Sequence, residues 1–201
     1  MTSKRHTSPN RVPDDRLLDA ARECVLAEGV RRTTLTAVAR AAEVSRMTLY
    51  RRFPDMRTLV AALMTREFGA LLGRIQRDAP PGVPARATLV DGLVRAAAAL
   101  AADPLMRVVL EADTELLTPY LFHRVGATQR IAEEFLRAQL AAGHADGSVR
   151  RADPVTQARA LFLLVRPFAL SMTPSTADVS AADLLAELAH VLDAALRPGS
   201  V

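Results

Sequence analysis

Nine consecutive residues, Ser45-Arg46-Met47-Thr48-Leu49-Tyr50-Arg51-Arg52-Phe53, carry the side chains best suited to a specific chemistry in this sequence: hydrogen bonding to a polyanion. Guanidinium groups, hydroxyls and a phenol supply donors for phosphates and base edges, and no carboxylate in the run repels a nucleic-acid backbone. As a helix capped by Ser45, the run turns Leu49 and Phe53 inward with Val44, at spacings of five and four. Arg46, Met47, Thr48, Tyr50 and Arg51 are left outward, and Arg51 and Arg52 can meet either a phosphate or a base. A basic helix face is usually just a solvated one, so the flanking residues must decide.

Those residues point to a helix-turn-helix. Thr34 is a good cap for a helix over 35–42 carrying Leu35, Val38, Ala39 and Ala42 on one face, and Glu43-Val44-Ser45 forms a short turn into the next helix. Two short helices joined this way place the second in the major groove. A supporting helix is predicted over 14–28, with Asp14 and Asp15 at its positive end, Leu18, Ala21 and Val25 inward, and Gly29 in the left-handed conformation that ends it. Pro54 and Asp55 stop the third helix, and Asp55 caps a fourth over 56–77 with Leu59, Leu63, Phe68, Leu71, Leu72 and Ile75 as its apolar positions.

The ordered set Leu17-Leu18-Asp19-Ala20-Ala21, Gly29, Thr34-Leu35-Thr36-Ala37-Val38-Ala39, Val44-Ser45, Thr48-Leu49-Tyr50, Phe53 and Leu59 resembles the N-terminal domain of TetR-type transcriptional regulators over about residues 14–62. The resemblance implies phosphate contacts from Thr34, Thr48 and Tyr50, and base-edge contacts from Thr36, Arg46 and Met47. Two residues depart from the family pattern. Glu43 stands where glycine is usual at the turn, at a cost of about 1 kcal/mol if the backbone is left-handed there. Met56 replaces a common phosphate-binding lysine, and nearby Arg57 is the substitute.

Composition agrees with an all-α chain. Alanine and leucine dominate, aromatics are 4% and tryptophan is absent, which favours helix over sheet. Residues 1–57 hold 12 Lys/Arg against 7 Asp/Glu, and residues 58–201 hold 14 against 15, so the net charge of +4 is concentrated in the region carrying the helix-turn-helix. Such a modest excess on a chain with a large apolar body argues against a nonspecific DNA-packaging protein. The single Cys24 excludes an internal disulfide and a cysteine-rich zinc site, and is expected to be a small core hydrophobe. No glycine-rich phosphate loop or His-Glu-x-x-His is present, His6, His123, His144 and His190 are scattered, and Glu133-Glu134 is expected on an exposed helix face. The chain is expected not to be an enzyme and to need no cofactor or metal. No uncharged run approaches ~20 residues, so neither a signal peptide nor a membrane span is expected and the location should be cytoplasmic.

The expected organisation is a basic, disordered arm at 1–13, a DNA-binding domain at 14–57, and an effector-binding and dimerisation domain at 58–201, with about nine helices in all. In the last of these, a proline-rich linker at 78–84 precedes helices at 85–102, 104–111, 121–142 (closed by Gly143), 154–172 (broken by Pro174 and Ser175) and 181–196. Leu161, Leu164, Val165 and Leu170, and Leu184, Leu185, Leu188, Leu192 and Leu196, put apolar positions on more than one face of the last two helices. The resemblance implies that these pair with a second subunit, giving Leu161, Val165, Leu184, Leu188 and Leu192 as interface candidates, with packing inside a monomer as the alternative. It also implies an effector pocket, with Met106, Leu110, Tyr120, Phe122, His123, Phe162 and Arg166 as candidates. Arg166 lies in an apolar stretch and, if buried, needs a partner: Glu111, Asp113, the second subunit or an anionic ligand. The function expected is a homodimeric regulator of a roughly palindromic double-stranded DNA operator, acting as a repressor released by a small-molecule effector. An activator of the same fold and a helical small-molecule-binding enzyme are the alternatives.

Overall fold

The computed structural model describes residues 14–112, 126–176 and 178–199, and divides into two compact units, the first ending at Leu63 and the second beginning at Met64. The described residues form nine helices and no strand: α1 (Asp14–Glu28), α2 (Leu35–Ala41), α3 (Arg46–Arg52), α4 (Met56–Arg77), α5 (Ala85–Ala102), α6 (Pro104–Ala112), α7 (Ala127–Ala145), α8 (Pro154–Ser175) and α9 (Ala181–Leu196). The division falls inside α4 rather than ahead of it.

Local rules account for the first unit. The apolar stripe of α1 is buried at Leu17, Leu18, Ala21 and Val25, and Gly29 follows at φ +82°, where only glycine is unstrained. Asp55 caps α4 by accepting the Thr58 amide at 2.7 Å. Leu59 and Leu63 are fully buried on α4. Cys24 is half-buried, and burial followed by the nearby Glu28 and Glu23 raises its thiol pKa, so it is a quiet side chain at the edge of the apolar stripe.

In the second unit α5 is the central helix, packed by α6, α7, α8 and α9, with α7 also against α8. Leu89, Leu93, Leu136, Leu140, Ala158, Leu161, Val165, Leu188, Leu192 and Leu196 fill one shared core. Polar ties close one end of it. The Ala85 amide donates to Asp146 at 2.8 Å, Arg86 pairs with Asp193, and the Arg150 amide and Nε donate to the Leu196 and Ala195 carbonyls at 2.8 and 2.7 Å. The start of α5, the α7–α8 connection and the end of α9 are thereby held together.

Three sequence expectations need correction here. Gly143 does not close its helix: α7 runs to Ala145, and Gly143 is buried where a Cβ would lie 2.3 Å from Val149 Cγ2, so glycine is required by close packing. The left-handed turn residue is Gly147, at φ +73°. Pro174 does not end α8 at Met172: the helix continues to Ser175 and stops there, within the turn in which the proline supplies no amide to the carbonyl four residues earlier.

Glu133 is the third. It is 6% exposed rather than solvated, while Glu134 is exposed as expected. Its position three residues before Leu136 puts it on the packed face of α7, where it accepts Arg159 Nε and Nη2 from α8 at 2.6 and 2.9 Å and Gln129 Nε2 at 2.8 Å. The bonded Arg159 guanidinium holds the carboxyl below its usual pKa, outweighing the burial that would raise it. A carboxyl with a depressed folded-state pKa stabilises the fold above its unfolded value of about 4.3, and the contribution is lost as pH falls through the folded value. Glu133→Gln should cost about 1–2 kcal/mol at neutral pH, toward the low end because Arg159 reaches solvent, and should flatten the acid limb of stability against pH. Thermal melts of both proteins from neutral to acid pH check this; curves that stay parallel would rule out the assignment.

Candidate nucleic-acid interface

The two short helices α2 and α3 are started by side-chain caps. Thr34 Oγ1 accepts the Ala37 amide at 3.1 Å and Ser45 Oγ accepts the Thr48 amide at 3.1 Å, both from extended backbone. Between them Glu43 sits at φ +53°, the left-handed turn anticipated at this position, with a side chain that glycine would have spared. Within α3 Leu49 alone is buried, at 0% exposure; Phe53 just beyond is also buried, and Val44 just before is half-buried.

This anchoring fixes what α3 presents. Arg46, Met47, Tyr50 and Arg51 are exposed, Met47 by 69%. An apolar side chain this open on a helix otherwise rich in donors suits contact with a thymine methyl in the major groove. Thr34, Ser45 and Arg57 are exposed, Thr36 and Thr48 half-buried, and the Thr48 hydroxyl shares a 2.8 Å hydrogen bond with Ser45. Arg52 differs from its neighbours: Nε donates to Asp14 Oδ1 at 2.8 Å and Nη2 pairs with Oδ2. The carboxylate of Glu43 is likewise taken, by Arg16. Neither ion pair was legible from local spacing, since the partners lie 38 and 27 residues apart.

Residues 17–63 match the model of the bacterial regulatory proteins of the tetR family. An HTH-type transcriptional regulator of Mycobacterium bovis, itself uncharacterised, is 35% identical over 178 residues, 89% of this chain and 91% of the relative. The chain belongs to the TetR family. It is a DNA-binding transcriptional regulator with an all-α fold, not an enzyme. A regulator of Mycobacterium tuberculosis matches to the same extent. Among solved structures, the TetR-family repressor AlkX of a Dietzia strain, implicated in n-alkane biodegradation, superposes with TM-score 0.65 at 23% identity, covering 96% of each chain. FadR of Bacillus subtilis in complex with stearoyl-CoA gives TM-score 0.65 at 17% identity, over 92% of this chain and 100% of that one. Among the described residues no cluster suited to a metal ion is present, and no helix is long and apolar enough to cross a membrane.

The other candidates of this TetR-family chain are placed less favourably. Tyr120, Phe122 and His123 lie outside the described residues, as does the arm at 1–13. Met106, Leu110, Phe162 and Arg166 are half-buried, and the Arg166 guanidinium stacks 5.9 Å from the centroid of the Phe162 ring. Arg166 is therefore not the deeply buried cation that its apolar neighbours suggested. Of the interface candidates, Leu161, Val165, Leu188 and Leu192 are at most 8% exposed within the subunit's own core, and Leu184 is half-buried. Among the described residues, the large apolar side chains left open on these helices are Val155, Leu163 and Leu164 on α8 and Val191 on α9.

Proposed function

We propose that the chain acts as a homodimeric repressor that occupies a roughly palindromic operator and is released by an apolar or amphiphilic small-molecule effector. The observation that carries it is the outward face of α3, in which arginines, a phenol and an open methionine stand on a helix without a carboxylate. A two-fold pair reads half-sites about one helical turn, ~34–36 Å, apart or a multiple of it. Leu163, Leu164 and Val191 are the apolar surface that a second copy would cover. Thr34, Thr48, Tyr50 and Arg57 are assigned to phosphates, and Thr36, Arg46 and Met47 to base edges. The effector class rests on the solved FadR with stearoyl-CoA and on AlkX, both of this fold, and on the apolar character of Met106, Leu110 and Phe162. For release, the effector must bind the DNA-incompetent arrangement better, and a coupling of about 1–3 kcal/mol lowers operator affinity roughly 5- to 150-fold. The segment of chain common to both units is α4, which makes it the candidate lever for this coupling.

Arg46→Ala should cost about 1–3 kcal/mol of operator binding and relax the preference at one base pair, whereas Tyr50→Phe should weaken every sequence alike. Anisotropy titrations against a duplex selected from a random pool, and against its single-base variants, check both. Unchanged affinity and base preference in Arg46→Ala would remove Arg46 from the reading set. Acyl-CoA thioesters and long-chain alkyl compounds, added to the preformed complex, test the release step.

A further inference from the structure

We propose that Arg52 is a positioning residue rather than a DNA contact: together with Arg16 it completes a two-point bracket by which the first turn of α1 holds both ends of α3. The inference rests on the DNA-binding role of α3. Asp14, the first residue of α1, accepts both Arg52 Nε, at 2.8 Å, and Arg52 Nη2, and Arg52 is the last residue of α3. Arg16, two residues on, pairs with Glu43 in the turn that leads into α3. The bracket thus grips the turn three residues before the start of the recognition helix and the helix's final residue.

The helix needs such help. Seven residues span about 10 Å at 1.5 Å per residue; Leu49 within them and Phe53 just beyond are the buried side chains, both toward the C-terminal end, so apolar packing holds that end and leaves the helix less constrained against pivoting about it. Two ion pairs at its ends supply the missing constraints. A bidentate guanidinium–carboxylate pair also sets the relative orientation of its two planar groups, which a single contact does not. Because both pairs are exposed, they contribute little to stability, and their effect belongs to geometry rather than to the fold.

Charge makes the idea testable, because the two roles predict opposite signs. Asp14→Asn removes a negative charge from beside the helix assigned to DNA, so by Coulomb's law alone it should leave binding unchanged or tighten it. If the bracket orients α3, the same substitution weakens binding. Operator affinity of the full-length protein is measured over a salt series for wild type, Asp14→Asn, Arg52→Gln and the double variant, with the pool-selected duplex as probe. Both single variants should lose about two- to fivefold in affinity, the scale of an exposed pair. The double variant should lose no more than either, and the slope of log affinity against log salt should stay at the wild-type value in all three. Thermal melts run alongside show that each variant is folded at the titration temperature, so a loss of affinity there is not a loss of fold; Asp14→Glu and Arg52→Lys serve in place of any variant that is not. The proposal is overturned if Asp14→Asn binds as well as or better than wild type, or if Arg52→Gln alone weakens binding and lowers the salt slope by about 0.9, the signature of one lost phosphate contact. Wild-type protein that selects no duplex at all would instead remove the DNA-binding role on which the bracket depends.

Discussion

Replacing Leu188 by aspartate should unfold the second unit rather than merely separate a pair of folded subunits. Leu188 is 1% exposed and lies in the core shared by Leu89, Leu93, Leu136, Leu140, Leu161 and Leu192. The substitution removes a buried aliphatic side chain and puts an ionisable group without a partner in its place, a combination worth more than about 4–5 kcal/mol. Domains of this size hold together by about 5–15 kcal/mol in total, so the loss takes most or all of it. Val191→Asp and Leu163→Asp make the contrast, since those side chains are 40% and 54% exposed. Each should cost the folded subunit itself less than about 1 kcal/mol, apart from any stability that pairing with a second copy adds. If the open faces of α8 and α9 meet a second copy, these two should sediment as folded monomers. A Leu188→Asp protein that melts like wild type and sediments as a monomer would contradict the placement of Leu188 in the subunit core.

The difference between Leu188 and Val191 marks where the sequence stopped being legible. In the first unit the caps and turns are legible because each depends on a few adjacent residues: Thr34, Ser45 and Asp55 accept the expected amides, and Gly29 and Glu43 take the left-handed conformation. On α9, by contrast, leucines recur on more than one face, and which face packs inward is decided by helices up to a hundred residues away in sequence. Periodicity shows that such a helix needs neighbours but not which of them belong to its own subunit. The same limit hid Glu133, whose buried state depends on Arg159 arriving from another helix, and Gly143, whose packing role depends on the return of the chain at Val149. On the recognition helix, the outward set was legible from spacing, whereas the diversion of Arg52 to Asp14 needed the packing of α1 against the rest of the unit to be known.

Truncating Leu49 to alanine should abolish specific DNA binding while leaving the second unit folded. Its side chain is fully buried and is the one residue within α3 that is, so its removal opens a cavity where nothing else on the helix can refill the space. Leu→Ala at such sites costs about 2–5 kcal/mol. A unit of roughly fifty described residues, 14–63, has a small core and little margin, so a loss of this size leaves α3 detached or the whole unit open for much of the time. Calorimetry should show a first-unit transition shifted to much lower temperature beside an unaltered one for the second unit. Affinity for the selected duplex should fall to the level measured for unrelated DNA, since the surviving arginines still attract phosphates but no longer present a fixed face to the groove. The result differs from that of Arg46→Ala, which should keep both transitions and lose only preference at one position. Leu49→Met, nearly equal in volume, should cost less than about 1.5 kcal/mol and keep most of the specific affinity. Should Leu49→Ala bind its operator as wild type does, the orientation of α3 would have to come from contacts other than this anchor.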